Sequence, residues 1–306
     1  MSKKIIFMGT PTFSVKVLET LVNSKYNIQC VYTQPPKKSL RGQKINTSAV
    51  QKTAEKFNLE IRAPKILNNK DEYEYFKSLK PYLVVVVAYG KIIPKHYLNL
   101  AEKGFLNIHA SLLPKWRGAA PIQRSIMNND KETGVSFMKI EEGLDTGPYM
   151  KQLKLIIDSQ SSTKKITEEL SELGAKNILE CIKMIENDRA QFIEQDHGKA
   201  TYAKKVKKTE SKISWSEKAE KILSKINSFN PTPGAWFEYN GSRYKIWKAE
   251  VMELNGIPGT ILDEKLIIAC KENSIKILEI QKEGKNRLKT KDFLIGTKIL
   301  KGTKLT

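Results

Sequence analysis

The sequence predicts an α/β protein in two parts, a mostly parallel, doubly wound sheet followed by a small β-barrel or sandwich. Short β-branched runs alternate with helical patterns through the first half, as in successive βαβ units. The run "YLVVVVAYG" (82–90) is apolar without alternation, as expected of a central strand covered on both faces. Near the end, short strand-like segments are separated by "NPTPG", "YNGS", "NGIPG" and "KEGKN", turns that suit a small barrel, the OB-fold being one candidate. A length of 306 residues accommodates about two domains.

In chain order, "KIIFMG" (4–9) reads as the first strand, followed by a helix over 12–23. "IQCVYT" (28–33) is a second strand and "TSAVQKTAEKFN" (47–58) a helix, with a basic, Pro-containing loop at 34–46 between them. "GFLNIHAS" (104–111) and "TGVSFMKI" (133–140) continue the sheet. From 162 to 188 the apolar positions Ile166, Leu170, Leu173, Ile178, Ile182 and Ile185 fall on one helical stripe, which closes the first domain. "YAKKVKKTESK" (202–212) holds five Lys in eleven residues and no core pattern, so it reads as a charged linker, with a short amphipathic helix after it at 216–229.

Composition narrows the function classes. The net charge is +20, but of 53 basic residues only seven are Arg. A basic chain suits an anionic partner such as nucleic acid; drift towards Lys, Asn and Ile would produce the same total. From residue 207 onward 20 Lys/Arg face 12 Asp/Glu, and before it 33 face 21, so both parts are basic. No stretch reaches the roughly 18 to 20 consecutive apolar residues of a membrane span, and "MSKKIIFMGTP" runs into a strand without a cleavable leader, which points to a cytoplasmic protein. Cys30, Cys181 and Cys270 lie far apart with no neighbouring His, so they read as buried apolar fillers and no metal site is suggested. "GTPTFS" after the first strand carries one glycine, and no Walker-type lysine motif occurs, which argues against dinucleotide or P-loop binding.

The reactive candidates lie in "NIHASLLPKWRGAAPI" (107–122). Strand side chains alternate faces, so Asn107 and His109 point the same way at the C-terminal end of their strand, the edge at which open α/β sheets bind ligands. Asn donates an amide N–H to a carbonyl oxygen that gains charge, and imidazole carries a proton near neutrality; together they suit acyl transfer through a tetrahedral intermediate. Asp145 in "GLDTGP" (143–148) supplies a carboxylate that could orient His109 or accept a proton. No Ser or Cys sits in a nucleophile elbow, which favours direct attack by a substrate amine. Satisfied strand-end polar residues are the plain alternative. His96 and His197 read as surface residues.

"NIHASLLPKWRGAAPIQRS" together with "ETGVSFMKIEEGLDTG" resembles the methionyl-tRNA formyltransferases, within the wider group of enzymes that use 10-formyltetrahydrofolate. The likeness extends through "IIFMGTPTFS", "VYTQP", "VVVVAYGKIIP", "TYAKKVKK", "FNPTPGAW", "YKIWKA", "PGTI" and "ILEIQKEGK". It implies a Rossmann-like catalytic domain over 1–200, a basic linker over 201–212 and an OB-like tRNA-binding domain over 213–306. It further implies formyl transfer from 10-formyltetrahydrofolate to the α-amino group of initiator methionyl-tRNA, releasing tetrahydrofolate, by a cytoplasmic monomer that needs no metal.

Under this resemblance Asn107 donates to the formyl oxygen, His109 stabilises the oxyanion and moves protons, and Asp145 holds His109 and relays the proton. Ser111, Leu112, Leu113 and Pro114 match the family's folate-binding segment, with Tyr89 and Ile92 as an added pocket wall and Phe13 at the methionine pocket. Lys37, Lys38, Arg41 and Lys44 occupy the loop that reaches the tRNA acceptor end, and Lys204, Lys205, Lys207 and Lys208 face the tRNA backbone, with Trp116 and Arg117 as scaffolding. The chain departs from the family pattern at Ser214, Asn227 and Thr232, where Asp, Arg and Trp are usual. Two rivals remain: a formyltransferase acting on a small amine of a sugar nucleotide or purine precursor, and a non-catalytic RNA-binding protein.

Overall fold

A computed structural model describes residues 3–38 and 45–305. The chain divides into two compact units, the first made of 1–121, 133–155 and 167–203, the second of 122–132, 156–166 and 204–306.

The first unit is built on a seven-stranded sheet. Its strands are β1 (Lys4–Gly9), β2 (Asn27–Tyr32), β3 (Ile61–Arg62), β4 (Leu83–Val87), β5 (Phe105–His109), β6 (Glu132–Lys139) and β7 (Tyr149–Ile156), in the spatial order β7-β6-β5-β4-β1-β2-β3. The pairs from β3 through β5 are parallel, and β6 runs antiparallel to β5 with His109 opposite Ser136. The order reverses between β1 and β4, and crevices for ligands form outside the C-terminal strand ends at such a point.

The helices before residue 200 are α1 (Val15–Val22, preceded by a 3-10 turn at Thr12–Ser14), α2 (Ala49–Lys56), α3 (Lys70–Ser78), α4 (Pro121–Met127) and α5 (Thr163–Glu186). α2 begins where its Ser48 cap hydroxyl accepts from the Gln51 N–H, satisfying one of the first-turn donors. The predicted stripe of α5 is buried at Ile166, Leu170, Ile178, Ile182 and Ile185. Gly174 of α5 lets the helix approach β5 closely: a Cβ there would stand 3.3 Å from Cγ2 of Ile108.

Helices α3 and α4 and strands β3 and β7 lie outside the elements expected from sequence. α3 carries no clear apolar stripe because one of its two buried residues is Glu72. That carboxylate accepts from the Tyr32 hydroxyl at 2.7 Å and from Arg62 Nη2 at 2.7 Å, so burial is offset by charge-assisted hydrogen bonds. The other, Phe76, packs edge-on against Tyr97 and stacks on Phe105.

The second unit contains α6 (Ala219–Ser228) and an antiparallel half-barrel of β8 (Ala235–Tyr239), β9 (Ser242–Met252), β10 (Ile267–Ala269), β11 (Ser274–Lys282) and β12 (Leu288–Lys289), followed by α7 (Thr290–Gly296). The strand order is β8-β9-β11-β10, with β12 also on β11. Ile222, Leu223 and Ile226 of α6 join Phe237, Tyr244, Ile246, Ile275 and Ile277 in its core. Of the departures from the family pattern, Asn227 is buried and donates to the Ser159 carbonyl at 2.8 Å, while Ser214 and Thr232 are exposed.

All three cysteines are buried, and burial pushes each thiol up to about 12. A thiol held protonated is a poor nucleophile. Ellman's reagent is therefore expected to titrate none of the three in the native protein and all three after denaturation; rapid reaction of any one in the native state would contradict this burial. Among the described residues no helix is long and apolar enough to cross a membrane.

Candidate active site

Phe105, Asn107 and His109 share one face of β5 by alternation, and the first of them ends in the Phe76–Tyr97 core. Asn107 and His109 carry the same face to the C-terminal edge of the strand, where they are 9% and 6% exposed. Beyond them the chain turns through a cis Leu113–Pro114 peptide and Trp116 at φ +60°.

The return of the chain positions the histidine. His109 Nε2 stands 3.0 Å from the Trp116 carbonyl, which can only accept, so Nε2 carries the hydrogen and donates it. Nδ1 faces the other way, with Asp145 Oδ2 at 3.6 Å. That separation is longer than a hydrogen bond. Asp145 Oδ2 is held instead by the Gly118 N–H at 2.8 Å, so the ring is oriented by Trp116 while the carboxylate stands beside it as a charge. Asp145 adopts φ +51°, a left-handed conformation that Asp tolerates better than most residues.

Around Arg117 lies a network of polar side chains, with Arg117 and Gln195 buried and His197 at the surface. Arg117, 2% exposed, donates from Nε and Nη2 to Gln195 Oε1 at 3.0 and 2.8 Å, and Nη2 also donates to Nδ1 of His197 at 3.0 Å. The main chain at 201–203 is laid alongside: the Arg117 N–H donates to the Thr201 carbonyl, and Arg117–Gly118 pairs in parallel with Tyr202–Ala203. Ser136 Oγ donates to the Ser111 carbonyl at 2.6 Å and accepts from the Leu113 N–H at 3.1 Å, tying the turn to β6.

Two family matches cover most of the chain, formyl transferase over residues 3–182 and the formyl transferase C-terminal domain over 205–298. A methionyl-tRNA formyltransferase of Pelagibacter ubique is 52% identical over all of this chain and 99% of its own length, and that of Roseobacter denitrificans is 40% identical over 98% of both. The chain belongs to the methionyl-tRNA formyltransferase family. A solved methionyl-tRNA formyltransferase from Clostridium thermocellum shares the fold at TM-score 0.56 and 22% identity, covering 81% of this chain and 93% of its own. HypX from Aquifex aeolicus, solved in complex with tetrahydrofolic acid, aligns at TM-score 0.67 and 16% identity over 96% of this chain and 47% of its own.

The other positions expected of a methionyl-tRNA formyltransferase fall into three groups. In the segment expected to bind folate, Ser111 and Leu113 are buried, leaving half-buried Leu112 and Pro114 as its accessible surface. Ile92 is 90% exposed, whereas the Tyr89 ring lies in the core cluster with Phe76 and Tyr97, so any wall it provides is backbone. Phe13 is buried on the 3-10 turn after β1, where its carbonyl accepts from Ser171 Oγ.

The backbone of Lys37 and Lys38 pairs with Asn46 and Ile45, and Arg41 and Lys44 lie outside the described residues. Lys204, Lys205, Lys207 and Lys208 are all exposed. Their segment is not a free tether: Arg124 donates to the Lys204 carbonyl at 3.0 Å and clasps both Glu210 oxygens, and Glu210 accepts from the Lys207 N–H at 2.7 Å.

Sequence reasoning missed Gln195, Ser136 and the reach of His197. His197 is exposed, yet its ring accepts from Arg117. "EQDHGKA" has neither apolar period nor motif, so nothing local marks Gln195 as buried.

Proposed function

We propose that this protein transfers the formyl group of 10-formyltetrahydrofolate to the α-amino group of methionine esterified to initiator tRNA. One observation carries the reading: an amide donor, Asn107, and an imidazole, His109, share the C-terminal edge of β5 with a carboxylate 3.6 Å from the ring. The amine nitrogen attacks the formyl carbon and the carbonyl electron pair moves onto oxygen. Asn107 donates a hydrogen bond to that oxygen, and the His109 ring, once Nδ1 has taken up the amine's proton beside Asp145, places a positive charge near it. The amine's proton thus leaves through His109 and Asp145; the oxyanion's electron pair re-forms the carbonyl as the bond to N10 of the folate breaks, and N10 takes a proton with the released pair. Atoms and charge balance without a metal ion.

Apolar side chains that a folate ring could meet are exposed Ile92 and half-buried Leu112 and Pro114. The division of labour places chemistry in residues 1–200, phosphate contacts in the basic segment 201–212 and further tRNA contact in 213–306, in a cytoplasmic monomer. Lys37, Lys38, Arg41 and Lys44 reach the acceptor end.

The test is an assay with the folate donor and charged initiator tRNA, in which formyl-methionyl product is expected. Turnover of a free sugar or purine amine without that product would overturn the reading, and so would tRNA binding with no turnover of any amine. Arg41→Ala is expected to weaken tRNA-dependent catalysis and to reduce the slope of log affinity against log salt by about 1, as for one lost phosphate contact. Kinetics indistinguishable from wild type across salt would remove that loop from the mechanism.

A further inference from the structure

The polar network around Arg117 contains one side chain that holds the Asp145 turn directly. Gln195 is 4% exposed and comes from the segment after α5, flanked by exposed Glu194 and Asp196. Its Nε2 donates to the carbonyls of Asp145 at 2.9 Å and Gly147 at 2.6 Å. Its Oε1 accepts from Arg117 Nε and Nη2 at 3.0 and 2.8 Å. Only this orientation of the carboxamide satisfies its neighbours, because a guanidinium only donates and carbonyls only accept. Both amide hydrogens and both lone pairs are thereby used, inside a site with little access to water.

The connections close a ring. From Gln195 the path runs through the Arg117 side chain to its own backbone, then to the Gly118 N–H, which donates to Asp145 Oδ2 at 2.8 Å, and back through the Asp145 carbonyl to Gln195. The residue before Arg117, Trp116, presents the carbonyl that receives His109 Nε2 at 3.0 Å. One side chain therefore ties together the loop that orients His109 and the loop that carries Asp145. Asp145 also needs holding, since a non-glycine residue at φ +51° sits in a sparsely populated conformation that persists only where its surroundings impose it.

We infer that Gln195 is a positioning residue for the formyl-transfer reaction, setting the distance of the Asp145 carboxylate from His109 through the Asp145 and Gly147 carbonyls. The inference rests on the role given to Asp145 under the proposed function. Gln195 touches no reacting atom; it acts through Asp145.

The discriminating variant is Gln195→Glu. A carboxylate keeps the acceptors for Arg117, so the buried guanidinium stays paired, but it puts an oxygen where the two carbonyls need a donor. The expected result is a fall in kcat of about 10- to 100-fold, the scale of an ångström-sized misplacement of a reacting group. KM for methionyl-tRNA stays within about twofold, while the melting temperature falls by a few degrees because two buried carbonyls lose their donor. In an Asp145→Asn background the same substitution is expected to cost no further activity, since a residue acting through Asp145 has nothing left to position.

Unchanged kcat in Gln195→Glu would overturn the inference, and so would an undiminished loss in the Asp145→Asn background, which would mean Gln195 acts elsewhere. Wild-type turnover by Asp145→Asn alone would be a different failure, removing the role of Asp145 itself. Should Gln195→Glu not fold, Gln195→Asn, neutral and one methylene shorter, goes through the same cycle with the same readings.

Discussion

Replacing Asn107 or His109 by Ala lowers kcat by about 100-fold or more while the affinity for methionyl-tRNA stays close to wild type. Each side chain is assigned to charge that develops only as the tetrahedral intermediate forms, and deleting one such donor costs on the order of 10²- to 10³-fold in other acyl-transfer sites. Loss confined to kcat is the mark of an interaction made in the transition state. Both side chains are buried at the strand edge, but the His109 ring is also a brace for the Trp116 carbonyl. The Asn107 variant is thus the cleaner of the two, and the His109 variant should also lose some thermal stability. Single-turnover rates with saturating folate donor and a filter-binding isotherm for the charged tRNA make the measurement. Ordinary turnover in both variants would show that the pair is structural.

The second large effect is expected at Gly147, two residues beyond Asp145. A Cβ there would run into the carbonyl oxygen of Lys139, a backbone atom at the end of β6 that cannot swing aside as a side chain would. The same stretch is tied by the Lys139 N–H donating to the Pro148 carbonyl at 2.9 Å and by Gln195 on the Gly147 carbonyl. Gly147→Ala must therefore break one of these contacts to make room. Overpacking of this kind costs about 3 kcal/mol at the upper end of its usual range. For a unit of this size that corresponds to a fall of roughly 10 °C in melting temperature. Because the displaced turn carries Asp145, kcat falls with it.

Gly296→Ala is the control. Nothing lies within 4 Å of the added carbon and the backbone needs no positive φ, so its melting temperature stays within about 2 °C of wild type. Calorimetry of both proteins checks the pair, and equal melting temperatures would refute the close approach at Lys139.

How much of this was legible beforehand differs from one element to the next, and the reason is physical. β4 announced itself because a central parallel strand is covered on both faces and so reads as five consecutive apolar residues, all buried. α5 did so because its core-facing positions recur at the helical period. α3 did not. One of its buried positions is a glutamate, made acceptable there by Arg62 of β3 and Tyr32 of β2. A pattern of apolar residues cannot report a burial that depends on a distant ion pair.

The same division runs through the site. That Asn107 and His109 share a face follows from the two-residue period of a strand, and the likeness of the stretches around them to the formyltransferases was readable in the residues themselves. Sequence suggested that Asp145 would hold His109. The structure puts the Trp116 carbonyl on Nε2 and the Asp145 carboxylate 3.6 Å from Nδ1, itself held by a backbone N–H.

By itself, the sequence determined strands β1, β2, β4, β5 and β6, helices α1, α2, α5 and α6, the basic character of both parts and the family likeness, because these depend on composition, on periods of two to four residues and on local motifs. Only the tertiary structure decided that Gln195, 50 positions beyond Asp145 and 78 beyond Arg117, lies buried between them. Contacts across such separations depend on how loops return over the sheet edge, on single residues held at positive φ and on which polar groups find partners once water is excluded. None of these leaves a local period for the sequence to show.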